Sequence, residues 1–122
     1  MLAVASYSPG EVAKIRLLAG FEMKQIDCCP LASTEEPLSM LATSGLEDAP
    51  GEVLIVGTMF YESNEGIEEF EPRKGRILCF SMIGNEDRKR LKLISHLEVS
   101  GGVYAMSVVK GKLVACVNGT VS

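Results

Sequence analysis

The chain has 122 residues, the length of one small domain, with 47% apolar residues and a formal charge of −4. Its one basic cluster, residues 88–92 (RKRLK), falls short of the concentrated positive footprint that nucleic-acid binding requires, and no stretch reaches the roughly 18 apolar residues of a membrane-spanning helix. Residues 1–8 lack the basic start of a signal peptide, so the expectation is a soluble intracellular chain with no membrane partner.

In chain order, residues 1–12 are weakly patterned, with a turn at Ser8-Pro9-Gly10. Lys14–Ala19 (KIRLLA) and residues 22–28 (EMKQIDC) read as a hairpin joined at Gly20-Phe21. Residues 30–37 (PLASTEEP) have loop chemistry, residues 38–43 (LSMLAT) read as a strand, and residues 44–51 as a loop. The most apolar run, Val53–Phe60 (VLIVGTMF), is followed after an acidic stretch by residues 75–82 (GRILCFSM). Val, Ile and Phe in runs of this length suit a buried strand. The intervening Glu62, Glu65, Glu68, Glu69 and Glu71, with Asn, Gly and Pro, belong in water. Two antiparallel neighbours joined by a negative loop are expected.

After a turn at 84–89, Arg90–Val99 alternates: Leu91, Leu93, Ser95 and Leu97 should share one face, with Lys92, Ile94 and His96 on the other. Val103–Val109 and Lys112–Val117 form a hairpin through Lys110-Gly111, and Thr120-Val121 opens a further strand. No segment carries a helical period with caps. The fold class is all-β.

A repeat runs through this ladder. Leu38-Ser39-Met40 followed by VLIVGT echoes Tyr104-Ala105-Met106 followed by LVACVNGT. One unit of four strands then spans about residues 38–99, the next begins at Gly102, and the first hairpin supplies the last two strands of a preceding unit. Four-stranded units in tandem are the signature of propeller blades. The expected architecture is a partial β-propeller over residues 14–122, one complete blade plus parts of two neighbours, preceded by an unaligned segment, residues 1–13. A self-contained sandwich or small barrel is the competing architecture.

Little in the sequence points to catalysis. His96 is the only histidine, and no Ser–His–Asp or paired-carboxylate arrangement is evident. Cys28, Cys29, Cys79 and Cys116 lack metal-ligand spacing and read as buried thiols. No catalytic residue, metal or cofactor is expected, and the sequon Asn118-Gly119-Thr120 reads as chance. A free-standing small β-protein, relying on a cysteine, is kept as an alternative.

The runs VLIVGTMFYE, EFEPRKGRILCF and LEVSGGVYAMSVVKGKLVACVNGTV resemble the cleavage and polyadenylation specificity factor A-subunit-like family, and within it the damaged-DNA-binding branch. The resemblance spans about residues 14–121. It implies the third of three large propellers in an adaptor of cullin–RING ubiquitin ligases, found in nucleus and cytoplasm and serving protein ubiquitination and DNA repair. Such an adaptor grips WD-repeat substrate receptors, docks the cullin through a propeller not represented here, and meets DNA through a partner subunit. An RNA-processing scaffold of the same family, in splicing or polyadenylation, is the other reading. Carried over by position, Tyr104 and Ala105 (usually Ser in the family) would line the receptor pocket, with Met59 near it. Glu69 and Glu71, beside the Glu-Pro turn, would meet basic partner residues.

Overall fold

In the computed structural model, residues 2–6, 12–19, 24–47, 51–60, 74–84, 90–118 and 120–121 are described. They form ten strands: β1 (Leu2–Ser6), β2 (Lys14–Ala19), β3 (Lys24–Pro30), β4 (Glu35–Thr43), β5 (Val53–Phe60), β6 (Gly75–Ile83), β7 (Arg90–Val99), β8 (Val103–Val109), β9 (Lys112–Val117) and β10 (Thr120–Val121). Three antiparallel sheets result, with orders β1-β2-β3, β4-β5-β6-β7 and β10-β9-β8. Among the described residues there is no helix. The complete four-stranded sheet flanked by two partial ones is the all-β, partial-propeller architecture that the repeat implied.

The second sheet lies between the other two, and β5 is its centre. Leu54 and Val56 on β5, with Leu78 and Phe80 on β6, form one apolar cluster with Ala13, Ile15 and Leu31 of the first sheet and its edge. Ile55 and Gly57, on the opposite face of β5, turn towards β8 and β9. Val53 through Thr58 are therefore all buried, which is why this strand reads as a continuous apolar run and lacks alternation. Fully burying a side chain such as Phe80, Leu54 or Leu78 stabilises the fold by about 1.5–3 kcal/mol.

Three features differ from the expectation. The weakly patterned start supplies β1, which pairs with β2 along Leu2↔Leu18 to Ser6↔Lys14, so the first hairpin gains a third strand. Strand β4 begins at Glu35, inside the stretch PLASTEEP that reads as loop, because Glu35 finds buried polar partners. Strand β7 does not keep one face. Cys79 pairs with Ser95 but Phe80 with Leu93, which leaves Ile94 as an extra residue. The bulge turns Leu91 and Leu93 to the first-sheet side, and Ile94, Ser95 and Leu97 to the groove beside β9.

Candidate partner-binding site

The leading strands of the second and third sheets, β4 and β8, run close together. Glycines permit the approach. A Cβ on Gly57 would stand 2.5 Å from both Ser39 Oγ and a Val103 methyl, and one on Gly75 would collide with the carbonyls of Gly101 and Thr58. Ser39 Oγ donates to the Val103 carbonyl at 2.8 Å. Asn118, in the left-handed region at φ 49°, accepts from the Gly102 amide through Oδ1 at 2.7 Å, and its own amide donates to the Gly102 carbonyl at 2.9 Å.

Gly102 is the centre of the site. A Cβ there would lie 3.3 Å from Tyr104 Cε2, 3.4 Å from Met59 Cβ and 2.9 Å from Leu38 Cδ1. Two expected residues, Met59 and Tyr104, thus converge from different sheets, and Leu38 joins them. Tyr104 is 47% exposed, so its ring presents both a packed side and a wet one, the mixture that suits an interface anchor. Ala105 is exposed but separate. It pairs with Cys116, next to the irregularity between Val103 and Ala105. Glu69 and Glu71 lie outside the described residues.

On the other face of the same sheet end sits a polar network that sequence reasoning missed. The Glu35 side chain is fully buried and ion-paired with Arg76. Glu35 Oε2 accepts from Thr58 Oγ1 at 2.6 Å and from Arg76 Nε at 2.8 Å, and Oε1 accepts from the Ala32 amide at 3.1 Å. Burial alone would push this carboxyl up, yet the hydrogen bonds from Arg76, Thr58 and Ala32 prevail and hold it below the ordinary carboxylate value. Arg76 also lies over Phe60, 5.7 Å from the ring centroid. Side chains alternate across the end of β5, so Thr58 and Phe60 meet this network while Met59 meets Gly102.

Burial raises the pKa of the Cys29 and Cys79 thiols, the opposite of what a nucleophile needs. His96 is exposed on β7, and among the described residues no group of His, Cys, Asp or Glu could hold a metal ion.

Residues 12–122 match the family described as the CPSF A subunit region. The chain is 38% identical to DNA damage-binding protein 1a of Arabidopsis thaliana and 36% identical to DNA damage-binding protein 1 of Solanum lycopersicum, each over 88% of its length. It is 35% identical to DNA damage-binding protein 1b of Arabidopsis thaliana over 85% of its length. In each case it spans about 9% of the relative.

Proposed function

The chain belongs to the CPSF A subunit region family, and from that premise we propose that it is a segment of a non-catalytic propeller adaptor that holds partner proteins. The observation that carries the reading is the convergence of Met59 and Tyr104 over the buried Gly102, where two neighbouring sheets bring apolar side chains together and leave the Tyr104 ring half-exposed. Ligand surfaces built by several strands at one sheet end are held rigidly by the packed sheets behind them. Here that support is the Gly57–Val103 approach and the Ser39 bond.

Similarity to proteins named for DNA damage binding supports the ubiquitin-ligase branch of the family over its RNA-processing branch. The partners in this reading are WD-repeat substrate receptors, with the cullin held by other regions and DNA met indirectly, in nucleus and cytoplasm. A formal charge of −4 supports the indirect route to DNA. The test is capture of receptors by the longest native protein that contains this chain, carrying Tyr104→Ala or Met59→Asp. Weakened capture by both variants is expected, and unchanged capture would sink the assignment. Co-purification of splicing or polyadenylation factors in place of a cullin would move the chain to the RNA-processing branch.

A further inference from the structure

The outer strands of the first two sheets carry the same irregularity at the same place. On β3, Gln25 pairs with Leu18 and Asp27 with Leu17, which leaves Ile26 as an extra residue. On β7, Leu93 pairs with Phe80 and Ser95 with Cys79, which leaves Ile94 extra. The sequences run Lys24-Gln25-Ile26-Asp27 and Lys92-Leu93-Ile94-Ser95, so Ser95 on β7 holds the position of Asp27 on β3. A bulge bends its strand and re-aims the side chains beside it.

The seam between the first and second sheets shows what that position does. Asp27 Oδ2 accepts from the Leu91 amide of β7 at 2.7 Å, while Oδ1 accepts from the Cys28 amide at 2.8 Å. The outer strand of one sheet thus holds the backbone of the outer strand of the next. Leu91, the residue so held, packs against the apolar cluster between those sheets.

The seam between the second and third sheets has the corresponding seat. The third sheet has the order β10-β9-β8, so among the described residues β10 is its outer edge and no strand stands where β7 stands in the second sheet. An apolar groove lies there, lined by Ile94, Ser95 and Leu97 of β7 and by Leu113 of β9. Ile94 is 48% exposed in it. The Ser95 hydroxyl bonds with the Cys79 sulfur and keeps lone-pair capacity for an incoming amide.

We infer that this groove seats an added β-strand, an extended segment from outside these 122 residues that runs along the outer edge of the third sheet. Two large aliphatic side chains at alternate positions turn onto Ile94 and Leu97, as Leu91 and Leu93 turn to the first sheet. One backbone amide donates to Ser95 Oγ, as Leu91 donates to Asp27. The inference goes beyond the adaptor reading and does not depend on it, because it rests on the correspondence of the two seams.

The probe is a ten-residue synthetic peptide with two leucines, two positions apart, in a background of Thr and Lys. A control peptide of the same composition has its leucines adjacent, which puts them on opposite faces of a strand. Both are titrated onto the full 122-residue chain by fluorescence anisotropy, and amide exchange locates the bound peptide. The alternating peptide should bind and slow exchange at β10 and at residues 94–97, and the control should bind roughly tenfold or more weakly. Leu97→Asp should abolish binding, and at 60% exposure this residue can be changed without unfolding the chain. Ser95→Ala should weaken binding roughly threefold to tenfold, as for loss of one hydrogen bond. Ser95→Asp, which installs the acceptor of the first seam, should tighten it instead. No binding, equal binding of the two peptides, or indifference to both Ser95 variants would each overturn the inference. Dimerisation of the chain that excludes the peptide would overturn it too, by making a second copy the occupant. Receptor capture unaffected by Tyr104→Ala alongside successful peptide binding would discard the adaptor reading and leave the strand seat standing.

Discussion

The two seams of this molecule are closed by different means. Between the first and second sheets lies a layer of Ile15, Leu31, Leu54, Val56, Leu78 and Phe80, sealed at one end by the Glu35–Arg76 pair. Between the second and third sheets the closure is a close approach at glycines, Gly57 against the Ser39 and Val103 side chains, Gly75 against the Gly101 carbonyl and Gly101 against the Asn118 side chain, with Ser39 and Asn118 supplying bonds. Away from the leading strands this second seam opens into a groove of about 570 Å³ lined by Ile55, Ile77, Cys79, Ile94, Leu97 and Leu113. Leu97 is 60% exposed there, whereas Phe80 on the first seam is 1% exposed. One seam is held by area and charge, the other by fit at a single end. The difference explains why the candidate surface lies on the second seam, where side chains reach water beside a rigid backbone.

The largest expected effect comes from Arg76→Ala, which strands a buried Glu35 carboxylate without its cation. Loss of about 3–5 kcal/mol is expected for breaking such a pair. Urea unfolding measures the loss, and amide exchange should quicken in β1–β3 well before β8 and β9. Equal quickening in both would erase the distinction between the seams. Gly75→Ala should cost about 1–3 kcal/mol, because its Cβ meets two backbone carbonyls that cannot rotate away. Its exchange signature should fall on β8 and β9 instead.

The Glu35 carboxyl adds a pH dependence to the first seam alone. Its folded-state pKa is lowered, so its contribution is complete above the unfolded value of roughly 4.3 and disappears as pH falls through the lower folded value. Glu35→Gln should remove that dependence. Native and variant melting curves should differ most near neutrality and approach each other in acid. A gap that widens on acidification would contradict the assignment. The smallest effect belongs to Ser39→Ala, which removes one bond to Val103 and should cost about 1 kcal/mol with little change at β1–β3.

Several elements were legible because their cause is local. The runs VLIVGTMF and GRILCFSM announce β5 and β6 by composition, and Lys110-Gly111 announces the β8–β9 turn, where both residues adopt positive φ. The site was legible in part. Tyr104, Ala105 and Met59 came from resemblance, and the structure brings Tyr104 and Met59 to Gly102. Glu35 was hidden because its partner Arg76 is 41 residues away, and nothing near PLASTEEP signals that a cation will meet it. The bulges at Leu38, Ile94 and Tyr104 were hidden too. Each is defined by a count of residues on two strands, and a single strand's pattern cannot show it.

By itself, then, the sequence determined the strand class and the tandem four-strand unit, since side-chain chemistry biases the backbone within a few residues. Tertiary structure decided which side of each strand faces which sheet, where Glu35 is buried, and that Leu38, Met59 and Tyr104 meet over Gly102. These outcomes depend on register between strands distant in sequence, and one inserted residue reverses every side chain beyond it.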